Sequence, residues 1–301
     1  METDGSTANI PDGAEPYAVW GWNTNTAKKF QEATGDQIKE LIMNLVANFQ
    51  VMANDDTRYL VKKFSDCGLW GIGGVGLAEV WRIIRTLSAL TAETEAYAIF
   101  RGILAVGEGV IKLGITTVIL AVLVPFLVLM TKDAFGLMVI LNDTYQDLGL
   151  EDINVTHGKV VAIFKENAEL EDPKPIIPKK LPPIKNPQTG EVVSEASIQA
   201  GFLAVRKRDY ALIGAQGALK FKATESFPKG AYLGWSVPLS RGSNALLVSA
   251  NFEGSVSEFS HKTGSHGKQE DTSTSSAGAK ITGRVNSGSG SKAYYIINAA
   301  Q

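Results

Sequence analysis

One stretch of this 301-residue chain limits its folding more than any other, because residues 113–130 contain no charged side chain. The only polar side chains among these 18 residues are those of Thr116 and Thr117. A helix of this length reaches roughly 27 Å, close to the thickness of a bilayer's hydrocarbon core. Pro125 would kink such a helix, which transmembrane helices tolerate better than soluble ones do. The stretch predicts either a membrane-inserting helix or a hairpin buried in a soluble helical bundle.

The residues that precede this stretch favour insertion into lipid. Residues 68–76 include five glycines, too many for a helix that is stable alone in water. Residues 77–90 place their apolar side chains on one helical face. Together with residues 113–130 they form a unit that can fold inward in water and open outward in lipid. The side chains predicted to enter the membrane are Trp70, Leu77, Trp81, Leu113, Ile119, Leu123, Phe126 and Met130.

The apolar stretches are concentrated in one part of the chain, which predicts three regions. Residues 1–33 form a polar N-terminal segment that lacks the basic start and apolar run of a secretory signal. Residues 34–133 are predicted to be a helical, membrane-inserting region, whose first amphipathic helix is capped by Thr34 with Gln37 three residues on. Residues 134–301 change to the spacing of strands. We expect a soluble form that is secreted or stored without a recognisable signal peptide, and that lies at the target membrane when active.

Charge and composition limit the classes of function. The 29 basic and 31 acidic residues give a net charge of −2, so no broad positive surface is available for nucleic acid. Cys67 is the only cysteine, which rules out an intrachain disulfide. The three histidines, His157, His261 and His266, show neither metal-ligand nor catalytic-triad spacing. We predict a protein that is not an enzyme and has no cofactor, no metal site and no nucleic-acid partner.

Strand patterns dominate the chain after residue 134. Strands are predicted at residues 137–141, 153–161, 200–205, 218–222, 232–237, 245–248 and 294–298. Six of the eleven prolines lie in residues 173–187, which are therefore predicted to be an extended, exposed loop or linker within a proline-rich insertion at about residues 165–199. Between residues 254 and 291, 21 of 38 residues are Gly, Ser or Thr, which predicts long polar loops and exposed strands.

Three short stretches carry a resemblance to a known family. They are residues 155–159, residues 214–221 preceded by the basic triplet at 206–208, and Trp235-Ser236-Val237-Pro238 with Ser243-Asn244 shortly after. In this order, and with a similar closing strand at residues 289–296, they resemble the actinoporin family of sphingomyelin-directed cytolysins over about residues 137–300. The resemblance implies a compact antiparallel β-sandwich that recognises phosphocholine lipid headgroups. It also implies an N-terminal amphipathic helix that swings out and lines an oligomeric pore.

The chain departs from the family pattern at several points. More than 130 residues precede the sandwich, and the loop at residues 239–242 lacks the family's membrane-entering aromatics. Residues 250–275 contain no tyrosine cluster, so a cation–π cage for choline is not carried over. Either the lipid differs from that of the family or the ligand is a glycan. The headgroup candidates are Trp235, Ser236, Val237 and Pro238, and the candidates for attraction to anionic lipid are Arg206, Lys207 and Arg208.

These observations predict an α+β protein, with a helical membrane-inserting region followed by an actinoporin-like antiparallel β-sandwich. The predicted function is that of a pore-forming cytolysin, which binds a target membrane through the sandwich, oligomerises and inserts its N-terminal helices. Its partners are then a phospholipid or sphingolipid membrane, or a glycan, and further copies of the chain. The alternative is a membrane-tethered, lectin-like or lipid-binding module with a single transmembrane helix at residues 113–130.

Overall fold

The structure of the protein is a computed structural model. It describes the following residues: 15–18, 20–42, 134–165, 175–185, 192–194, 196–208, 213–239, 242–286, 288 and 291–301. The description below concerns these residues.

Two short strands and a helix open the described chain: β1 (Glu15–Ala18), β2 (Trp20–Asn23) and α1 (Thr24–Glu32). Residues 36–42 are again helical. The Thr34 N–H donates to Gln37 Oε1 at 3.3 Å, which is one half of the capping box that the sequence predicts there. The helix predicted to begin near Thr34 is therefore present over residues 36–42, and its predicted continuation lies outside the described residues.

The second half of the chain supplies most of the strands. Their bounds are β3 (Phe135–Asp143), β4 (Leu148–His157), β5 (Lys159–Lys165), β6 (Ile176–Ile177), β7 (Ile184–Lys185), β8 (Val192–Ser194), β9 (Ser197–Arg206), β10 (Ala215–Phe221), β11 (Ala231–Val237), β12 (Ala245–Ser249), β13 (Glu270–Thr274), β14 (Lys280–Val285) and β15 (Lys292–Ala300), with a helix α2 (Val256–His266) between β12 and β13. Each strand predicted from the sequence is found here. The single strand predicted over residues 153–161 is two strands, because the chain turns at Gly158 with a φ of 88°.

Within the described residues the strands form two large sheets. One has eight strands in the order β1-β5-β9-β3-β15-β14-β13, with β2 also paired to β9, and the other has five in the order β12-β11-β10-β4-β6. The pairs β3–β15 and β1–β5 are parallel. The prediction of a purely antiparallel sandwich is therefore corrected to a mixed one. Parallel pairing of β3 and β15 needs a long crossover, which the whole intervening domain provides.

The hydrophobic core lies between the two sheets. Every second residue of β3 and β15 points into it, as Met138, Ile140 and Tyr295 show. The five-stranded sheet contributes large side chains in the same alternation, including Phe221 and Trp235, which are both fully buried. Phe164 stacks on Phe221 with 5.8 Å between the ring centroids. This one core holds both sheets together.

The outer face of the eight-stranded sheet is also covered. Residues 135–142 of β3 are buried without interruption, although alternate side chains point to opposite faces. Helix α1 lies against β15 and β9 and buries Ala27 and Phe30, and Gln31 Nε2 donates to Asn298 Oδ1 on β15 at 2.9 Å. The continuous apolar run of β3 is that of a central strand covered on both faces.

The proline-rich insertion is partly built into the sandwich. Ile177 is fully buried in the main core, and the Leu150 N–H donates to the Pro175 carbonyl at 2.8 Å. The buried side chain of Asn142 donates to the carbonyls of Ile177 at 3.0 Å and Pro178 at 2.9 Å. The predicted extended conformation is correct for residues 175–181. The prediction that residues 173–187 are exposed is wrong for Ile177, which is fully buried and fills the space beside Gly201.

Residues 254–291 contain more regular structure than the sequence predicts. Helix α2 begins at a complete capping box, in which the Glu258 N–H donates to Ser255 Oγ at 3.2 Å and the Ser255 N–H donates to Glu258 Oε2 at 2.8 Å. Strands β13 and β14 follow as an antiparallel pair. Their side chains are largely polar, so the Gly, Ser and Thr content of this segment conceals them.

Strand β13 also closes one side of the sandwich. Asp271 Oδ2 accepts from the Val248 N–H at 3.1 Å, and Ser273 Oγ accepts from the Ala250 N–H at 3.0 Å. These side chains bind donors along the edge of β12 that would otherwise lack a strand partner. The two sheets are therefore joined by side-chain hydrogen bonds along this edge.

Candidate functional site

Basic side chains converge at one end of the eight-stranded sheet. The register places Lys159 of β5 opposite Arg206 of β9, Arg206 opposite Phe135 of β3, and Phe135 opposite Lys292 of β15. Four adjacent strands thus bring their basic or aromatic residues into one row. Lys207 and Arg208 follow Arg206 directly in the sequence. We call the basic residues at this end of the sheet the basic end: Lys159, Arg206, Lys207, Arg208 and Lys292.

The turn at Gly158 positions the middle of this row. Its positive φ and its closeness to the Arg206 carbonyl leave no room for a β-carbon, so only glycine fits without displacement of the backbone. Arg208 Nε donates to the Gly158 carbonyl at 3.0 Å, and the Lys207 N–H donates to the Ala134 carbonyl at 3.0 Å. The basic triplet is therefore held against the first residues of β3 and β5.

Strand β3 begins at the basic end, at Phe135. The Phe135 N–H donates to the Ser291 carbonyl at 2.8 Å, and the Phe135 ring meets the Tyr294 ring edge-on at 5.6 Å. Lys292 Nζ lies 5.9 Å from the centroid of Phe135, within the range of a cation–π contact. Residues 113–130, the uncharged stretch, precede Phe135 closely in the sequence. Ala134, the first described residue after that stretch, thus lies beside the basic side chains.

Apolar side chains are accessible at the same end. Ile213, just before β10, is 55% exposed, and Pro238 and Leu239, just after β11, are half-buried. Residues 214 and 215 lie close to the Val237 carbonyl and to Gly158. Cationic and apolar groups together are the composition that suits the interfacial region of a membrane.

The structure divides the four predicted headgroup residues into two pairs. Trp235 and Val237 point into the main core and are buried, so their side chains present no surface to a headgroup. Ser236 and Pro238 are half-buried and accessible, and the Ser236 carbonyl accepts from Tyr295 Oη at 3.1 Å. Among the described residues the indole Nε1 of Trp235 has no hydrogen-bond partner, as suits a side chain that packs by its apolar area. Headgroup contact stays a prediction for Ser236 and Pro238.

A polar cluster joins α2 to the five-stranded sheet beside Ser236. The hydroxyls of Thr156 and Ser260 lie 2.6 Å apart, and Gln216 Nε2 donates to the Ser260 carbonyl at 3.0 Å. Thr156 Oγ1 also donates to Asn154 Oδ1 at 3.2 Å. The sequence prediction missed this cluster because it missed α2. The Ser255-x-x-Glu258 spacing was the signal that predicts the helix.

The other predicted site residues differ in how far the structure bears on them. Arg206, Lys207 and Arg208 lie at the basic end, where Lys159 and Lys292 join them from strands far away in the sequence. The residues predicted to enter the membrane, Trp70, Leu77, Trp81, Leu113, Ile119, Leu123, Phe126 and Met130, lie outside the described residues. In the part of the chain that the structure describes, no helix has the length and apolarity needed to cross a bilayer.

No metal-binding group of three or more His, Cys, Asp or Glu side chains occurs in the described ranges. His157 ends β4, half-buried, whereas His261 and His266 lie exposed on α2. The absence of enzymatic activity stays a prediction.

Among known proteins, this chain shows similarity to solved structures only. No protein-family model matches the sequence, and no curated protein matches it. Among solved structures, the lipid binding protein Nakanori is 16% identical with a TM-score of 0.44, over 59% of this chain and 76% of that one. The RahU protein in complex with a TRIS molecule is 12% identical with a TM-score of 0.28, over 56% and 96% of the two chains. The Xerocomus chrysenteron lectin XCL is 14% identical with a TM-score of 0.23, over 55% and 99%.

Likeness at this level does not establish a shared function. The β-sandwich is established by the strand order and register of the chain itself.

Proposed function

We propose that the protein binds lipid membranes through the basic end of its sandwich. The observation that carries this proposal is the convergence, at one end, of five basic side chains, exposed Ile213 and Ala134, the first described residue after the uncharged stretch. Asp133 and Asp209 flank the group in the sequence, so its net charge is basic by about three. An anionic surface attracts each such charge by ~1 kcal/mol, giving about 3 kcal/mol for the group.

Charge reversal at two exposed positions tests this docking mode. Arg208→Glu with Lys292→Glu replaces two attractions by two repulsions, which amounts to ~4 kcal/mol, or on the order of 10³-fold in partitioning. The assay is flotation with vesicles of phosphatidylcholine and phosphatidylserine at low and physiological salt. We expect strong, salt-dependent loss of binding.

The matched control carries the same charge change at the opposite end of the sandwich. Lys222 and Lys229 are exposed there, in the connection between β10 and β11. Lys222→Glu with Lys229→Glu should float almost as well as the unchanged protein, since the pair that Lys229 makes with Glu253 is a surface ion pair worth little. Equal losses for the two double variants would show that net charge, and not the basic end, governs binding.

The proposal also includes pore formation after the protein has docked on the membrane. It is supported by the length and apolarity of residues 113–130 and by the glycine-rich and amphipathic residues before them. In this proposal a soluble form docks by the basic end, oligomerises and inserts apolar segments, as the resemblance to actinoporins implies. Release of a trapped dye from vesicles, together with discrete conductance steps in a planar bilayer, is the expected result. Binding to vesicles without any dye release at micromolar protein would refute pore formation but would still support lipid binding.

Glycan binding is the second candidate function. The half-buried side chains of Thr156 and Gln216, which are held against buried Ser260 of α2, favour it, because accessible hydroxyl and amide groups can bind sugar hydroxyls. Binding to immobilised glycans that persists at high salt, and that Gln216→Ala weakens tenfold without affecting flotation, would establish this function. Binding to lipid vesicles free of glycans favours the first proposal.

A further inference from the structure

The N-terminal residues of the described chain are an integral part of the sandwich. Strand β1 pairs with residues 162–165 of β5. On β9, strand β5 pairs with residues 203–206, and β2 pairs with residues 197–200. We call residues 15–18 and 20–42 the N-terminal anchor.

Helix α1 fastens the anchor across the outer face of the eight-stranded sheet. Gln31 Nε2 donates to Asn298 Oδ1 of β15, and Arg284 Nη1 of β14 donates to the Gln31 carbonyl. The apolar side chains of α1 and of the residues after it are buried: Ala27, Phe30, Ala33, Ile38 and Ile42. The anchor is thus held by two strand pairings, by side-chain hydrogen bonds and by apolar burial.

The chain rejoins the sandwich at its centre. Strand β3 lies between β9 and β15, paired with both along almost its whole length. It begins at Phe135, at the basic end. Residues 43–133, a segment of 91 residues, are therefore bounded on both sides by residues of the same folded body.

We propose that the N-terminal anchor stays paired with β5 and β9 when the protein binds a membrane, so that the anchor and residues 134–301 remain on the same side of the bilayer. This inference rests on the proposed lipid-binding function.

A single crossing at residues 113–130 conflicts with this arrangement. It would place residues 15–42 across the bilayer from β5 and β9, and both strand pairings would have to break. The acidic residues of the N-terminus, Glu2, Asp4, Asp12 and Glu15, would also have to pass through hydrocarbon, which strongly disfavours charged groups. In this proposal both strand pairings stay intact, whereas the single-pass tether considered from the sequence requires both to break.

Cysteine accessibility distinguishes the two topologies. In a Cys67→Ser background, Asn25→Cys places one thiol on an exposed position of α1, and Thr272→Cys places a control thiol on an exposed position of β13. Protein bound to the outside of sealed vesicles is treated with a membrane-impermeant maleimide. The proposal predicts that each cysteine reacts with the maleimide at the same rate in the vesicle-bound protein as in the free protein. Protection of the cysteine at 25 until detergent is added, with the cysteine at 272 still reactive, would overturn it.

A disulfide staple tests the same point by another route. Asn23 and Ser197 are directly opposed in the β2–β9 register, and opposed residues in antiparallel strands lie within the reach of a disulfide. In the Cys67→Ser background, Asn23→Cys with Ser197→Cys should float and release dye equally well oxidised and reduced. Loss of release on oxidation, with recovery on reduction, would show that the anchor must detach.

These experiments distinguish failure of the proposed lipid binding from failure of the proposal about the N-terminal anchor. If the Cys67→Ser protein itself neither floats nor releases dye, lipid binding is refuted and the topology falls with it. If that protein floats and only position 25 becomes protected, lipid binding stands and the same-side arrangement of the anchor and the sandwich is refuted.

Discussion

Asn142 offers the sharpest test of how the proline-rich insertion is held. Its fully buried Nδ2 carries two N–H donors and lies within hydrogen-bonding distance of three carbonyl oxygens, those of Gln146 at 2.9 Å, Ile177 at 3.0 Å and Pro178 at 2.9 Å. Its Oδ1 accepts from the Thr144 N–H at 3.1 Å and from the Thr144 hydroxyl at 2.7 Å. A single side chain thus connects the turn after β3 to β6.

The cost of removing this amide follows from these bonds. Asn142→Ala removes two N–H donors and one acceptor and leaves their buried partners unsatisfied, at about 1 kcal/mol for each group. The expected loss of stability is therefore about 3 kcal/mol, which corresponds to a fall in Tm of roughly 6–12 °C for a domain of this size. Asn142→Asp keeps the volume but turns a carboxylate towards three carbonyls. It should cost at least as much at pH 7.

The assay is thermal unfolding by circular dichroism, together with limited proteolysis at residues 175–183. The control is Asn251→Ala, because Asn251 is exposed and its amide donates to one carbonyl, that of Thr274. This change should cost less than about 1 kcal/mol. Equal Tm shifts for the two alanine variants, or unchanged proteolysis in the Asn142 variants, would refute the role assigned to Asn142.

Three further perturbations test the packing that surrounds the candidate site. Gly234→Ala should destabilise the protein by ~2 kcal/mol or more in urea unfolding, since a β-carbon there clashes with Thr263 of α2; adding Thr263→Ala should restore part of the loss. Asp271→Ala should cost about 2 kcal/mol in the same assay, because the Val248 N–H loses its acceptor and Lys268 its ion pair; an unchanged midpoint would contradict the closure by β13. The hydrogen bond from the Ser255 N–H lowers the pKa of the Glu258 carboxyl. The stability that this bond contributes is therefore present above about pH 4.3 and is lost as the pH falls through the folded-state pKa. Glu258→Gln should remove this pH dependence from the Tm measured between about pH 5 and 3.

The strands that the sequence predicts are those with a strong apolar pattern. Residues 137–141 and 232–237 show this, because their runs of apolar side chains are long enough to exclude other structure. Within residues 232–237, the alternate positions Leu233, Trp235 and Val237 are apolar, which indicates that Trp235 faces inward. The resemblance carried by residues 235–238 suggested instead that Trp235 contacts a headgroup at the surface. Alternation was the better guide to burial here.

The elements that sequence reasoning missed depend on partners far away in the chain. Strands β1 and β2 have four residues each, and their pairing with β5 and β9 provides the register that makes them strands. The basic triplet at residues 206–208 was visible, but Lys159 and Lys292 join it only through the register of β5, β9, β3 and β15. No local pattern predicts a row that four non-consecutive strands assemble.

The orientation of the sandwich on a bilayer can be measured directly, because the two ends carry exposed apolar side chains. Ile213 at the basic end is 55% exposed, and Tyr145 in the turn after β3, at the opposite end, is 65% exposed. Each is replaced by cysteine in the Cys67→Ser background and labelled with an environment-sensitive fluorophore. On vesicles that contain phosphatidylserine, docking by the basic end predicts a blue shift and quenching by lipid-borne quenchers at position 213 only. Equal responses at both positions, or a response at position 145 alone, would contradict it.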